Sequence, residues 1–431
     1  MGKRNSIYEK MKEKNPSMYT LGCPCHIAHN AAKKGYSEMR KIIGLDIEDL
    51  MVDLFYWFKR SQIRKKELQE FCEFCDTEYK KVLKHVPVHW LSLELAIIRT
   101  LKLYEGLKSY FASSEDSSAQ FKRLRVAFAD PLTELHLLFL QAMLPLFTEF
   151  NLTLQKDEPC IYFLHDHLCK FLSKLLRRFV TPGMVSGTKP YEYNTAHEFQ
   201  LENKELYIGF STKQALIKLQ KDTYLPNHSL SDHKTQIFYN GARAFLNASA
   251  MYLQQKLPFN DRVLQNSQFV DISRGQATFG QVEYFCARFS ETLQLSASAM
   301  DCLFDQCQDF QSYVKDKYLY QSVDVVTFWS NLMDVTDCNG HKRFDKLCKV
   351  AFLVLVLPHS NSGEEQVFSI IKENKTMRSA MQNNMLSSLL SCKINSLDDT
   401  KWFQYVPSKE IKKRAKSVTK VYNNLHASKK N

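Results

Sequence analysis

The sequence predicts a mainly α-helical protein, and three observations carry that expectation. Breakers are scarce, with 13 Gly and 12 Pro among 431 residues, so long stretches run uninterrupted. Those stretches are rich in Leu, Lys, Glu and Phe, and their apolar residues recur at three- and four-residue steps, the period of a helix with one buried face. The composition is that of an ordinary globular chain, with 44% hydrophobic and 24% charged residues. The length suffices for sizeable cores and suggests roughly two to three domains.

Taken in order, residues 2–14 read as a short helix, with Ile7 and Met11 four apart. Residues 17–21 read as a short strand. It leads into a helix starting near Cys23 that Gly35 can end. Residues 47–83 read as helical: Leu50, Leu54, Trp57 and Phe58 give an apolar face, and a basic patch of Lys59, Arg60, Arg64, Lys65 and Lys66 follows. Residues 90–110 form a second amphipathic helix through Leu93, Ile97, Leu101 and Tyr104. Residues 112–118 are an exposed connection, and helices follow over 128–152 and 161–179. The densest breaker cluster, 181–190, is a loop. Further helices are expected over 242–256, 281–293, 297–314 and 323–335, with a turn at Cys338-Asn339-Gly340. Residues 352–356 read as a buried strand or helix end. Beyond Pro358, Val367, Phe368, Ile370 and Ile371 open a helical segment. Met377, Met381, Met385 and Leu389 continue it as a four-residue ridge, widened by Leu386 and Leu390. Such a ridge packs either within the chain or against a second copy.

The formal net charge is +12 and the sequence pI is about 9.0, a balance that suits a polyanionic partner such as nucleic acid. The run Lys412, Lys413, Arg414 and Lys416 reads as a nuclear-import or nucleic-acid patch, or as a solvated tail. The 12 cysteines are scattered and residues 1–15 carry no apolar secretory core, so reduced thiols are expected. No apolar run reads as long enough to cross a bilayer, 350–357 being far too short, and no membrane partner is expected.

Five stretches invite a chemical reading. Cys23-Pro-Cys-His26 with His29 places two thiols and two imidazoles at a helix start. The spacing is too tight for four ligands on one zinc tetrahedron, so buried thiols at a corner are the plainer reading. Cys72, Cys75, His85 and His89 mimic the order of a zinc finger. Pro87, however, lies between histidines that would have to share a helix. Residues 1–6 satisfy a loose acylation pattern that chance explains. His89-Trp90-Leu-Ser92 and the stretch 355–369, with Glu365 after a polar turn, complete the set.

Residues 355–369 resemble the C-terminal dimerisation segment of the hAT superfamily of cut-and-paste DNA transposases, which reads Leu-Pro-x-Ser-x-Ala-x-x-Glu-Arg-x-Phe-Ser. Glu365 matches its Glu, the last of three catalytic carboxylates, while Gln366 replaces the usual Arg. Cys23 and His26 match a Cys-x-x-His element that follows the family's second catalytic Asp, and residues 2–6 match a stretch found just after that Asp. The resemblance thus implies that the chain starts downstream of both Asp residues. Trp90 and Ser92 match a Thr-Arg-Trp-x-Ser element whose Trp is implied to stack on a flipped base. His89 replaces its Arg and removes a permanent phosphate-binding charge. Trp90 reads equally as core on the helix it opens.

The resemblance implies a truncated ribonuclease-H-like core, an α+β remnant, interrupted by a large all-helical insertion. The boundaries would be 1–45 for the partial core, 46–340 for the insertion, 341–400 for the closing helix and dimerisation segment, and 401–431 for the basic tail. One carboxylate cannot clamp a metal pair, and Asp46, Glu48, Asp49 and Asp53 read as a solvated helix face. The expected protein is a catalytically inactive, nuclear, dimerising or higher-oligomeric module. It would associate weakly and mostly non-specifically with DNA, without cofactor or metal. The alternative is a fragment of an active transposase using Mg2+ or Mn2+, completed by upstream sequence.

Overall fold

Several helices begin where the sequence supplies a side-chain oxygen. Asp46, Ser61, Ser118, Asp130, Asp261 and Asp324 each accept a hydrogen bond from a backbone amide of the first turn, satisfying a donor that the helix itself leaves open. A computed structural model describes residues 7–86, 92–156, 158–185, 189–221, 232–274, 277–317 and 324–361. Beyond these it describes 367–368, 370–372, 385–388, 390–391, 408–414 and 416–417. The chain divides into two compact units, Met1–Asn361 and Ser362–Asn431.

The first unit is mainly α. Its helices are α1 (Ile7–Lys14), α2 (Pro24–Ile43), α3 (Ile47–Lys59), α4 (Gln62–Phe74), α5 (Ser92–Lys102), α6 (Tyr104–Ser113), α7 (Ala119–Ala129), α8 (Pro131–Leu154) and α9 (Ile161–Leu176). They continue as α10 (Phe210–Lys221), α11 (Asp232–Lys256), α12 (Arg262–Asn266), α13 (Phe279–Arg288), α14 (Ser290–Leu293), α15 (Ala297–Lys317), α16 (Val325–Met333) and α17 (Asp345–Leu355). Among the described residues there is no strand, and the β-pairings are single bridges, Val180 with Gln200 and Thr336 with Lys342. The strand expected at 17–21 is absent because no neighbouring strand offers it a ladder. The segment runs as coil instead, with the Tyr19 hydroxyl reaching Asp261 at 3.4 Å.

α8 is the centre, packed by α2, α5, α7, α9, α10 and α11. By length and composition it could cross a membrane, which the reading of 350–357 overlooked. It serves as the core helix of this unit: Leu135, Phe139, Leu140, Met143 and Phe147 are fully buried. Around it lie aromatic clusters. Trp57, Phe58, Tyr110, Phe111, Phe121 and Phe128 interlock with ring centroids 5.0–6.4 Å apart. A second cluster joins Phe269, Phe285, Phe310, Phe328, Trp329 and Phe344 beside α17.

Several helix limits differ from the sequence reading. Gly35 does not end α2. It sits inside the helix where α11 crosses, and a Cβ there would collide with Ser249 Oγ and lie 2.6 Å from the Phe245 carbonyl oxygen. Gly44, at φ 68°, ends α2 instead, its amide returning to the Arg40 carbonyl. The helix read over 47–83 splits because Ser61 takes an extended conformation and caps α4. The helix read over 90–110 splits at Leu103, which is fully buried between α5 and α6. The span 352–356 is the end of α17. In the second unit residues 367–368, 370–372, 385–388, 390–391, 409–414 and 416–417 are helical.

Candidate functional site

The Cys-Pro-Cys-His corner opens α2. Cys23 is the N-cap residue, Pro24 fills the first helical position and Cys25 follows. Pro belongs there, since its missing N–H would be without a partner in any case. A hydrogen bond from the Cys25 thiol lowers the Cys23 pKa to about 6 against the opposing effect of burial, and backbone amides of Asn361, His26 and Cys25 help. Cys25 Sγ also approaches the Asn151 carbonyl at 4.0 Å. The rings of His26 and His29 stack, 4° from parallel at 6.2 Å. Among the described residues no group of three or more His, Cys, Asp or Glu side chains is arranged to hold a metal ion.

The corner brings together stretches far apart in sequence. Asn361, which bonds Cys23, lies in the turn that leads toward Glu365. Ser360 Oγ donates to the Leu154 carbonyl at 2.9 Å. The C-terminal end of α8 therefore holds both the start of α2 and the residues just after α17. Beside it lies a groove of about 530 Å³ between α8 and α9, lined by Phe150, Thr153, His167, Lys170, Lys174 and Arg177 among others. Lys170, Lys174 and Arg177 are exposed. Phe150 stacks on Phe171 at 4.2 Å and on His167 at 5.1 Å. Burial, then Lys174 and Lys170, push the His167 imidazole below its ordinary pKa. This basic row was missed in the sequence, although its four- and three-residue spacing is legible.

The patch after Trp57 is divided. Lys59 and Arg60 lie over the Tyr56 ring at 5.8 and 5.5 Å, and Lys66 is solvent-facing beside Glu70 at 4.0 Å. Lys65 is half-buried next to Gln62. Arg64 turns inward: its guanidinium lies 3.4 Å from the Trp57 ring centroid and pairs with Asp116 at 3.1 Å. Cys72 is fully buried and His85 Nδ1 bonds Ser92 Oγ at 3.0 Å. The aspartates are also engaged. Asp46 caps α3 and binds Arg40 and Tyr36, and Asp53 pairs with Arg123 at 2.7 Å.

His89, Trp90, Glu365, Met377, Met381 and Leu389 lie outside the described residues. Of the expected dimerisation residues, Val367, Ile371 and Leu390 are half-buried, Leu386 is buried, and Phe368 and Met385 are 66% and 58% exposed. Lys412, Lys413, Arg414 and Lys416 are exposed on a helix, with Arg414 paired to Glu410 at 2.8 Å.

With this geometry in place, one comparison is informative. Residues 40–179 match the FAM200/GTF2IRD2 helical domain. The match covers less than half of the chain and runs from the last turn of α2 to the residues just after α9. It takes in the central helix α8, the Trp57 aromatic cluster and the basic row of α9, and leaves out the Cys23 corner and everything beyond residue 179. No curated protein and no solved structure matches the chain.

Proposed function

We propose that the chain is a transposase-derived, self-associating nuclear module that binds nucleic acid through its backbone and performs no strand chemistry itself. The observation that carries the reading is the meeting of Cys23 with Asn361. These two residues belong to the segments expected on either side of the helical insertion, and such flanking segments lie together when a domain is inserted into another fold. This supports a ribonuclease-H-like frame around the helices, with Cys23 and His26 on one side of the junction and the turn toward Glu365 on the other. The match of residues 40–179 to a helical domain fits the same reading.

The basic row Lys170, Lys174 and Arg177 beside that junction is the candidate phosphate-binding face, joined by Lys59, Arg60, Lys65 and Lys66. His89 and Trp90 stay in the proposal as base-stacking residues, and Lys412, Lys413, Arg414 and Lys416 as the import signal. Self-association rests on the apolar segment 367–390, where Phe368 and Met385 present large apolar surface.

Light scattering on the full chain, with duplex binding followed by fluorescence anisotropy across a salt series, tests this. The expected protein is at least a dimer, becomes monomeric but stays helical in Leu389→Glu, and binds in a salt-dependent way. Reversing Lys170, Lys174 and Arg177 to Glu should flatten the logarithmic salt slope by about 0.9 for each phosphate no longer neutralised. A monomeric wild-type chain, or cleavage of hairpin DNA with Mg2+ that disappears in Glu365→Ala, would overturn the reading.

A further inference from the structure

A cleft of about 790 Å³ opens between α3 and α7 and is floored by α8. This is within the range of small-ligand sites, roughly 300–1,000 Å³. It is separate from the Cys23 corner and from the basic row of α9. Its walls are amphipathic: Leu50 and Val126 contribute apolar surface, and Asp46, Asp49 and Asp53 stand on the α3 side. Val126 is 71% exposed.

Two groups in this cleft are left unsatisfied. The first is Asp49. Asp46 is held by Arg40 and Tyr36, Asp53 by Arg123, and Asp130 at the far rim by Lys234 at 3.4 Å. Among the described residues no ion pair engages Asp49. Partial burial, then Asp46 and Asp53, hold its carboxyl above the ordinary range. Arg40 and Arg123, which hold Asp46 and Asp53, act on it in the opposite sense without forming an ion pair with it.

The second is His136, on the floor. It is 1% exposed and stacks on Phe238 at 5.8 Å. Neither ring nitrogen has a hydrogen-bond partner. Burial pushes its pKa down to about 4, so the ring is neutral near pH 7 and offers one donor and one acceptor. Most buried side-chain polar atoms have partners, so an orphaned imidazole at the base of a ligand-sized cleft calls for an explanation.

We propose that this cleft binds a small organic cation with an apolar or aromatic body. The charged head would sit on Asp49 and the body against Val126, above the buried His136 ring. Lys122 stands on the opposite wall, so an anionic ligand is the competing outcome.

Benzamidine, benzyl alcohol and benzoate are suitable probes, being aromatic bodies of similar size with positive, neutral and negative heads. Binding to the full chain would be followed by ligand-observed NMR and by the ring-nitrogen shifts of labelled histidine, with His136 assigned from His136→Gln. The expected result is saturable benzamidine binding at least tenfold tighter than that of benzoate. It should weaken about tenfold in Asp49→Asn and should move the His136 nitrogens. Asp49 is on the surface, so its replacement leaves the core intact. Benzamidine binding unchanged by Asp49→Asn, equal or tighter binding of benzoate, or unmoved His136 nitrogens would each overturn the proposal.

Discussion

Replacing Gly35 with Ala tests the packing of the first unit at its tightest point. α2 and α11 cross so closely there that the new methyl would collide with Ser249 Oγ and stand 2.6 Å from the Phe245 carbonyl oxygen, with Phe245 Cδ2 at 3.2 Å. The hydroxyl can rotate away, but it then gives up its 3.1 Å hydrogen bond to the Ala31 carbonyl, at a cost of about 1 kcal/mol. The carbonyl belongs to the α11 backbone, so the helices must separate, and overpacking of this kind costs about 1–3 kcal/mol. Against this, Ala is the better helix former by about 1 kcal/mol. The net is a destabilisation of about 1–3 kcal/mol. With a urea m-value of about 3 kcal/mol/M, a central 2 kcal/mol lowers the denaturation midpoint by about 0.7 M. Gly280→Ala is the control, because its methyl meets nothing within 4 Å in the first turn of α13, and its midpoint should stay level or rise. Urea unfolding followed by circular dichroism decides. A Gly35→Ala protein as stable as the wild type would refute the close crossing of α2 and α11.

Two other predictions use separate observations. The rate of Cys23 alkylation by iodoacetamide, mapped by mass spectrometry, should rise with pH and level off above a midpoint near 6. Cys25→Ala, which removes the largest stabilising interaction of the thiolate, should move that midpoint upward, and a wild-type midpoint at the ordinary thiol value of about 8.5 would contradict the corner geometry. Arg64→Ala should lower stability by about 1–2 kcal/mol, since it removes the guanidinium from Trp57 and a partly exposed ion pair. It should leave DNA affinity unchanged, whereas Lys65→Ala should do the reverse, and loss of affinity in Arg64→Ala would return that residue to the binding face.

Much of the helical framework was legible because burial leaves a period in the sequence. Leu50, Leu54, Trp57 and Phe58 are buried as their spacing implies, as are Leu93, Ile97 and Tyr104. What failed were decisions made by distant partners. Gly35 looks like a stop signal until α11, some two hundred residues later, needs the space a side chain would fill. Arg64 looks like one more surface cation, yet Trp57 offers it an aromatic face and Asp116 a carboxylate. Ser61 offers a cap, but the helical pattern runs on across it and masks the break. At the candidate site, Cys23 and His26 stood out as a motif. Nothing local announces that Asn361 closes over them, or that His136, one polar residue in an apolar helix, has no hydrogen-bond partner in a cleft.

The nearness of Cys23 and Asn361 has an engineering consequence. More than three hundred residues leave one spot and return to it, so the polypeptide between them is topologically a loop, however large. A host protein would need to part its own chain at only one surface position to accept the whole block as a graft. Conversely, the two cut ends could be joined by a few glycines, and the residues 23–361 reopened at an exposed connection such as 114–118, yielding a permuted block with the same interior and new termini.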